Sequence, residues 1–512
     1  MNLPRPRRLF VLYTGLCLTG AAFWVCLHTA TQAGEEKSPA VASKPAGRTS
    51  ISKRSGLRPG ASATRSASQN PAIIFVRAPV VAEGDQPTRF PQGSHLARLA
   101  LESQTDSPVN LTSDLFAAAD PQISFDGAKV LFSALEKPGA RWQIWEMTTD
   151  GASKRRVTNC QVDCLRPAYL AREHFVFTVI KQNAGLTTSE IHVAKLDGTE
   201  DHPITFGPGN YQVETVMKDG RILVSAASPL VPQGADSSTL YALRHDGTGL
   251  QSLRCEHRQP AQRSEAAELA DGSVVFVKTQ GSKVGGELAM VRRGALHNSA
   301  LSPLAAVAWS PRPLRDDKLI VARKAAVASR PAKFDLYAVD STTGRVGELI
   351  YRDTRLSSFQ AVPVAAHTAP RWYWSTLNPE AKSGYFICLD AYHSVDEPKG
   401  RISQPIAKVR VLILDQATGQ ERSLGEAPVE TDGSFYVAVP PDRPVRFELL
   451  NARGGVIRAQ QSWVWARPGE ERGCVGCHED KSVAPENRWP LTLRRFDTPT
   501  PLGSEVDVKV EH

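Results

Sequence analysis

The sequence lacks several features that mark common classes of protein. No Ser-His-Asp order, phosphate-binding glycine loop or paired-carboxylate motif stands out, so a hydrolase is not favoured. No stretch after residue 30 is apolar enough to cross a membrane. The formal charge of +8 comes largely from the first 70 residues. Elsewhere the two signs are interspersed, which indicates a solvated surface rather than nucleic-acid binding.

The N-terminus has the pattern of an export signal. Arginines lie within residues 5–8, an apolar stretch fills residues 9–30, and Thr31-Gln32-Ala33 offers small residues for cleavage. An apolar stretch of about 22 residues is also long enough to span a bilayer, so an uncleaved anchor is the alternative. We therefore expect residues 1–33 to be a signal peptide or membrane anchor. The protein would be periplasmic, or anchored facing the periplasm, in a bacterium.

The chain of 512 residues is too long for one core and predicts two or three domains. Residues 34–70 are rich in Ser, Ala, Gly, Lys and Arg with almost no large apolar residues. Such a segment cannot bury a core, and we expect a disordered linker.

A repeat of about 48 residues begins after this linker. Each unit contains a glycine turn and short strands rich in Val, Ile, Phe and Tyr, and about four strands per unit are typical of a β-propeller blade. Independent hairpins are not favoured, because the same order recurs five times. The turns themselves are structural, and so are Trp142 and Trp145. The marker glycines are Gly151, Gly198, Gly247, Gly294 and Gly344.

A sixth blade can be assembled from both ends of the repeat region. Strands near Ile73–Val76, Leu96–Leu101 and Val109–Thr112 need an innermost partner, and Phe359–Ala366 supplies one. This pairing would close the ring and remove its free edges. The fold class is therefore all-β, with a six-bladed propeller over residues 71–370. This propeller resembles the TolB type.

Residues 371–512 have a different pattern of short alternating strands with Asp-Gly and Pro turns. They predict a small antiparallel β-sandwich-like domain. The expected strands are Tyr385–Leu389, Lys408–Leu414, one within Glu430–Pro440, Val445–Leu450, Val456–Ala459 and Ser462–Val464.

The pentapeptide Cys474-Val475-Gly476-Cys477-His478 carries the chemistry of this domain. Two thiols at this spacing can each add to a vinyl group of a haem, and the next histidine can then bind the iron. A redox dithiol, half of a zinc site and coincidence are the alternatives. The export signal favours one covalent haem c. Cys474 and Cys477 would attach it, and His478 would be the metal ligand.

The other cysteines give weaker signals. Cys160 and Cys164 predict a short-loop disulfide in an oxidising compartment, with a thiol pair near a metal as the alternative. Cys255 and Cys388 show no reason to be paired with each other.

The sixth iron ligand is left open. No methionine follows Met290, and the only histidine after the motif is the terminal His512. A His/Met cytochrome domain downstream is therefore excluded. His393 is the nearest upstream histidine in this domain, although a surface histidine is the favoured interpretation. Tyr392, Cys388 and His367 are lesser candidates.

These residues together resemble a known family, the alpha subunit of hydrazine synthase, over about residues 71–495. The resemblance implies a periplasmic haem c protein. In that family the middle-domain iron is bound by a tyrosine four residues beyond the motif histidine, which itself helps to hold zinc. Ser482 stands at that position here and favours iron ligation by His478. The residues that carry the resemblance are Leu424-Gly425, Pro428-Val429-Glu430, Asp432-Gly433-Ser434-Phe435, Val439-Pro440, Ser462-Trp463, Pro468-Gly469-Glu470 and Cys474–Glu479.

The family's second haem domain has no counterpart before residue 512. Hydrazine synthesis and an electron relay within this chain are therefore not expected. The leading hypothesis is an exported single-haem protein that exchanges electrons with a redox partner protein, with the propeller as scaffold or docking surface. The alternatives are a haem subunit of an oxidoreductase acting on a small nitrogen or oxygen species, and a propeller binding module with a structural haem.

Overall fold

The structure is a computed structural model. Its described residues are 71–79, 90–101, 107–183, 186–227, 237–253, 261–280, 285–292, 299–300, 307–315, 317–324, 333–415, 418–476 and 488–503. In these ranges no helix combines the length and apolarity needed to cross a bilayer. The export signal and linker, and the positions Cys255, Gly294, Cys477, His478, Ser482 and His512, fall outside these ranges.

The first 24 strands form six groups of four antiparallel strands. Five groups consist of consecutive strands, as the repeat predicts. The third and fourth groups also share one parallel bridge between Ser189 and Asn210. The strands are β1 (Ala72–Ala78), β2 (His95–Ala100), β3 (Val109–Asn110), β4 (Ala117–Ile123), β5 (Lys129–Leu135), β6 (Gln143–Thr148), β7 (Arg155–Arg156), β8 (Asp163–Leu170), β9 (His174–Asn183), β10 (Leu186–Lys195), β11 (His202–Pro203), β12 (Asn210–Val216), β13 (Ile222–Ala227), β14 (Thr239–Leu243), β15 (Gln251–Ser252), β16 (Gln262–Glu268), β17 (Val274–Thr279), β18 (Glu287–Val291), β19 (Ser299–Ala300), β20 (Ala308–Pro313), β21 (Lys318–Lys324), β22 (Phe334–Asp340), β23 (Val346–Tyr351) and β24 (Ser357–Val364).

The remaining group contains both ends of the repeat region. Strand β24 pairs antiparallel with β1, from Ala72 opposite Val364 to Ala78 opposite Ser357. The innermost strands β4, β8, β12, β16, β20 and β24 each contact the next around a closed ring. The six-bladed propeller and its closure by the last strand are therefore confirmed. Closure leaves neither terminal blade with an unpaired inner edge.

The repeat glycines have the conformation that the turns require. Gly151, Gly198, Gly247 and Gly344 have φ values of +89°, +86°, +81° and +68°, in the left-handed region. At Gly198 a Cβ atom would also lie 2.7 Å from the carbonyl oxygen of Val157. Glycine therefore recurs with this period because each of these turns needs a left-handed backbone conformation.

Polar side chains fill the propeller axis. Each innermost strand contains one bulge, where a polar residue turns toward the axis. In β24 the bulge is seen as a register shift in its pairing with β1. Arg166 donates to Glu265 at 2.8 Å across the ring, and Gln360 donates to Asp120 at 2.9 Å. A small cavity remains beside them, lined by residues that include Asp120, Arg166, Glu214, Arg312 and Gln360. Burial raises the pKa of Glu214 at its edge.

An ion pair supports the closure of the ring. Arg77 of β1 donates through Nε to Asp353 at 2.9 Å, and the Asp353 side chain is only 4% exposed. Burial alone would raise the pKa of Asp353. The backbone N–H groups of Arg355 and Leu356 and the Arg77 guanidinium outweigh burial and lower that pKa to about 2.

The ion pair between Arg77 and Asp353 makes the free energy of unfolding depend on pH. Because the folded pKa of Asp353 is depressed, its contribution is complete above about pH 4 and is lost as pH falls toward 2. Because Arg77 remains partly in solvent, we expect the pair to contribute about 1 kcal/mol to the free energy of unfolding. In denaturant titrations between pH 5 and 2, Asp353→Asn should no longer show this pH-dependent loss of stability. Asp114→Asn, which changes an exposed carboxylate, should still show it. An unchanged pH slope in Asp353→Asn would contradict this assignment.

The C-terminal part is a sandwich of two four-stranded sheets, with orders β31-β25-β28-β32 and β27-β26-β29-β30. Their facing sides enclose a core that includes Phe386, Val409, Val411, Val437 and Val445. Two short 3-10 segments, Pro398–Gly400 and Leu491–Arg494, lie outside the sheets. The strands are β25 (Gly384–Cys388), β26 (Lys408–Leu414), β27 (Glu421–Pro428), β28 (Phe435–Val439), β29 (Val445–Leu450), β30 (Val456–Ala459), β31 (Glu471–Cys474) and β32 (Thr500–Pro501).

The bounds expected for β26, β29 and β30 are confirmed. The strand expected at Ser462–Val464 is wrong, since it is reduced to a single bridge between Val445 and Val464. Three strands were not anticipated, β27, β31 and the two-residue β32. Strand β31 is short and polar, and it forms because β25 offers it an edge to pair with.

Candidate functional site

The first cysteine of the C-x-x-C-H motif ends strand β31. This strand runs parallel to β25, and Cys474 lies in register with Cys388. The backbone N–H of Leu389 donates to the carbonyl oxygen of Cys474 at 2.9 Å. Cys388 is buried at 3% exposure, and Cys474 is half-buried against the sandwich core. The sheet therefore fixes where the motif begins, while Cys477 and His478 lie outside the described residues.

The next part of the motif packs against a histidine. A Cβ atom at Gly476 would lie 2.6 Å from the carbonyl oxygen of His393, 2.8 Å from its Cβ and 3.0 Å from its Cδ2. Real Cβ atoms do not come this close to backbone atoms, so position 476 requires glycine unless His393 moves. The structure thus brings together two regions 83 positions apart in the sequence.

A turn after β25 holds His393 at this place. The His393 N–H donates to the carbonyl oxygen of Asp390 at 3.0 Å, and His393 forms a β-bridge with Arg401. The Asp390 carboxylate accepts from the Tyr392 N–H at 3.0 Å and pairs with Arg401 at 2.6 Å and Arg488 at 3.3 Å. The histidine is therefore carried by a cross-linked turn.

The segment before β31 is anchored in the propeller. Trp465 is fully buried, with its ring centroid 6.0 Å from those of Phe206 and Tyr211. Its Nε1 donates to the carbonyl oxygen of Gly247 at 3.2 Å, beside a blade turn. Glu470 accepts from the Gly249 N–H at 2.8 Å.

A half-buried arginine continues this anchor into the motif strand. Arg472 donates to the carbonyl oxygen of Leu250 at 2.6 Å and to that of Trp465. Its guanidinium lies 5.3 Å from the ring centroid of Phe386, and burial lowers its pKa. Carbonyl acceptors thus compensate its desolvation. Only Gly473 separates this anchored arginine from Cys474.

The lesser ligand candidates are placed differently. The Tyr392 hydroxyl donates to the carbonyl oxygen of Ile406 at 3.3 Å and accepts from its N–H at 3.1 Å. Cys388 lies beside Cys474 on the neighbouring strand and is buried in the sandwich core. His367 packs edge-on to Phe125 of the propeller, 5.4 Å between ring centroids. Of these candidates, only His393 meets the described part of the motif beyond its first cysteine.

The other cysteines and tryptophans singled out from the sequence lie in the propeller. Cys160 and Cys164 form the expected disulfide. Trp142 is buried in the blade core and Trp145 packs beside it. These residues are structural parts of the propeller.

The surroundings of Cys474 suit a bulky group attached at its sulfur. A Cβ atom at the neighbouring Gly473 would meet no atom of the described residues within 4 Å, whereas Gly476 is tightly packed. Among the described residues, none crowds the position before Cys474, whereas Gly476 packs against His393. A half-buried thiol at the rim of an apolar core fits a porphyrin better than it fits a hydrated metal ion. The described residues fit a covalent haem.

The fold and motif define a class: a six-bladed propeller followed by a β-sandwich with a C-terminal C-x-x-C-H sequence. Residues 393–479 match the family model described as the hydrazine synthase alpha subunit middle domain. The chain is 24% identical, over 79% of its length, to hydrazine synthase subunit alpha of Kuenenia stuttgartiensis. The resemblance stated from the sequence is therefore confirmed. The chain spans 65% of the length of that relative.

The solved structure of Kuenenia stuttgartiensis hydrazine synthase has the same architecture. It superposes with a TM-score of 0.72 over 83% of this chain and 71% of that chain, at 21% identity. TolB from Acinetobacter baumannii gives a TM-score of 0.43 over 58% of this chain and 67% of that chain, at 13% identity. The propeller assignment itself rests on the strand order rather than on this weaker match.

Proposed function

We propose that this chain is an exported c-type haem protein that exchanges electrons with a redox partner protein. The observation that carries the proposal is the position of Cys474. It is a half-buried cysteine at the end of a sheet strand, inside the region that matches the hydrazine synthase alpha middle domain. A thiol in this place is accessible to a porphyrin, while its backbone is held by β25.

Each motif residue has a distinct task in this proposal. Cys474 and Cys477 would hold the haem through thioether bonds, and His478 would bind the iron. The haem would supply one-electron chemistry when bound. The residues around Cys474 limit its access to water, because the sulfur packs against the sandwich core. A lower local dielectric would stabilise the redox state of the haem that carries less net charge.

The propeller would act as a scaffold or docking surface. Trp465, Glu470 and Arg472 tie the motif strand to the blade turn at residues 247–250. A rigid connection of this kind keeps the site at a fixed place relative to a large surface. A partner that docks on the propeller would therefore meet the haem at a defined distance.

Export would supply the conditions for this chemistry. The disulfide between Cys160 and Cys164 is compatible with an oxidising compartment. The N-terminal pattern would deliver the chain there, either cleaved or as an anchor. We place the mature protein in the periplasm of a bacterium.

A second candidate is a haem subunit of an oxidoreductase that acts on a small nitrogen or oxygen species. The name of the similar protein, hydrazine synthase subunit alpha, favours it. That function would need an iron with an open or weakly held sixth position, whereas electron transfer works with two firm ligands. Spin state and binding of small ligands separate the two candidates.

The decisive experiment is on protein made together with haem-maturation machinery. We expect one haem per chain in a pyridine haemochrome assay, and an intact mass that retains the haem after denaturation, because thioether bonds survive unfolding. A colourless chain with the mass of its amino acids alone would overturn the haem proposal. Haem that is lost on denaturation would overturn covalent attachment.

A further inference from the structure

We infer that the propeller carries a docking surface for an acidic protein partner. The surface consists of three exposed arginines, Arg172, Arg244 and Arg371, together with the rings of Tyr373 and Trp374. We call it the arginine–aromatic surface. It deepens the proposed function by giving the redox partner a place to dock, and it rests on that function for the redox role of the partner.

The segment between β24 and β25 forms one half of this surface, and it is fixed to the propeller. The Arg371 N–H donates to the carbonyl oxygen of Lys218 at 3.2 Å. A Cβ atom at Gly220 would lie 2.0 Å from the Arg371 carbonyl oxygen, so the two backbones are in close contact. The next residue, Trp372, is half-buried, and its ring centroid lies 3.8 Å from that of His245. The two aromatic residues that follow it are therefore carried by a backbone that is held in place.

Two arginines from the blade turns lie over these aromatic rings. Trp374 is 72% exposed, and the Arg172 Cζ lies 4.1 Å from its ring centroid. The Arg244 Cζ lies 5.3 Å from the ring centroid of Tyr373. A guanidinium that stacks on a ring leaves N–H groups at the edge of its plane, where they can bind a carboxylate through two hydrogen bonds. The surface therefore presents arginines in a geometry that suits carboxylates.

The turn that carries Arg172 has an unfavourable backbone conformation. Arg172 and Glu173 have φ values of +60° and +58°, in the left-handed region that favours glycine and asparagine. His174 supports the turn, because its Nδ1 lies 2.7 Å from the carbonyl oxygen of Arg172 and its ring centroid lies 4.9 Å from that of Trp372. Such strain is concentrated at functional sites. The turn is therefore better explained by a role for Arg172 than by its own stability.

The charge of the surface is not neutralised within the described part of the chain. No carboxylate there forms an ion pair with any of the three arginines. Two nearby carboxylates are already engaged, since Asp219 pairs with Arg221 at 2.7 Å and Asp246 accepts from the Thr248 N–H at 3.1 Å. Glu173 is the exposed carboxylate that remains beside them. The surface thus carries a net positive charge, which is complementary to an acidic partner.

An acidic protein fits this surface better than a nucleic acid does. Proteins that bind nucleic acid neutralise many phosphates with a basic patch or stripe, whereas this surface has three arginines interleaved with aromatic rings. Tryptophan, tyrosine and arginine are also the residues that contribute most to binding at protein interfaces. A partner with carboxylates around an apolar centre would pair with the arginines and cover Trp374.

The surface belongs to the same rigid part of the molecule as the motif strand. The carbonyl oxygen of Arg244 accepts from the Gly247 N–H at 2.9 Å, and the Gly247 carbonyl oxygen accepts from Nε1 of Trp465 at 3.2 Å. A few residues further on, the Leu250 carbonyl oxygen accepts from Arg472 of β31 at 2.6 Å. A partner docked on Arg244 would therefore be held in a fixed position relative to strand β31.

The test measures binding of fluorescently labelled poly-L-glutamate to the protein at low ionic strength, by fluorescence anisotropy. We expect the parent protein to bind, and the dissociation constant to rise with salt because the contacts are between charges. Arg172→Gln combined with Arg244→Gln should raise the dissociation constant about tenfold, since the pair loses the guanidinium groups that bind carboxylates. Trp374→Ala should also weaken binding, because Arg172 loses the ring on which it stacks.

The matched control is Arg345→Gln combined with Arg453→Gln. It removes the same charge from two exposed arginines outside the surface, and its dissociation constant should stay within about twofold of the parent value. Arg172→Lys combined with Arg244→Lys keeps the charge but loses the planar donors, so it should bind between the parent and the glutamine pair. Circular dichroism checks the fold of each variant, and the lysine pair replaces the glutamine pair if the latter does not fold.

Three results would overturn the inference. The first is a parent protein that does not bind poly-L-glutamate, whether or not it binds heparin, a sulfated polysaccharide. The second is equal weakening in the glutamine pair and its control, because binding would then depend on net charge alone. The third is unchanged binding in the lysine pair. The haem takes no part in this binding, so a colourless chain that binds would overturn the proposed function and leave the surface in place.

Discussion

Replacing Cys474 and Cys477 together by alanine should abolish covalent haem attachment. Each thioether bond needs one sulfur, and the haem chemistry of the motif depends on two sulfurs at a fixed spacing. We expect no haem-stained band after denaturing electrophoresis and no haem in the mass of the variant. The fold should survive, because Cys474 is only half-buried at the rim of the sandwich core.

Cys388→Ala is the matched control for this prediction. Cys388 is a cysteine of the same sheet, in register with Cys474, but it is buried and outside the C-x-x-C spacing. The control should therefore retain a full complement of covalent haem. Attachment that persists in the double variant, or that is lost in Cys388→Ala, would show that the sulfurs have been assigned incorrectly.

Trp465→Ala should produce the largest loss of stability among single substitutions at the boundary of the two domains. Trp465 is fully buried and packs against propeller residues that include Ile204, Tyr211 and Leu250. Removing a buried tryptophan costs about 3–5 kcal/mol, because the cavity collapses only in part. The change also leaves the Gly247 carbonyl oxygen without its indole donor.

The measurement is denaturant unfolding followed by circular dichroism, with Trp489→Ala as the control. Trp489 is 66% exposed, and its replacement should change the free energy of unfolding by less than about 0.5 kcal/mol. Limited proteolysis should also cut Trp465→Ala faster between the propeller and the sandwich. Equal stabilities of the two variants would mean that Trp465 does not hold the domains together.

The propeller could be predicted because its repeat is local. A left-handed turn needs glycine wherever it occurs, so Gly151, Gly198 and Gly247 mark the period directly in the sequence. The closing pair of β1 and β24 was also predictable, because a blade without an inner strand leaves an edge that must be covered. Counting strands was enough to find it.

The candidate site was less accessible to sequence reasoning. The spacing of Cys474 and Cys477 predicts haem attachment. Strand β31 could not be predicted, since Glu471–Cys474 has little intrinsic preference for strand. It is a strand because β25 lies beside it. Trp465 gave no signal either, because a tryptophan at a domain boundary looks the same in sequence as one in a core.

The sequence by itself determined the type of fold and singled out the C-x-x-C-H motif as the proposed haem site, since both depend on residues close together along the chain. Only the tertiary structure decided that His393 lies against Gly476 and that the propeller anchors the motif strand through Trp465 and Arg472. These contacts join residues 83 to more than 200 positions apart. Such contacts depend on complementary shape and on hydrogen-bonding groups that need a partner, and neither can be inferred from a local sequence pattern.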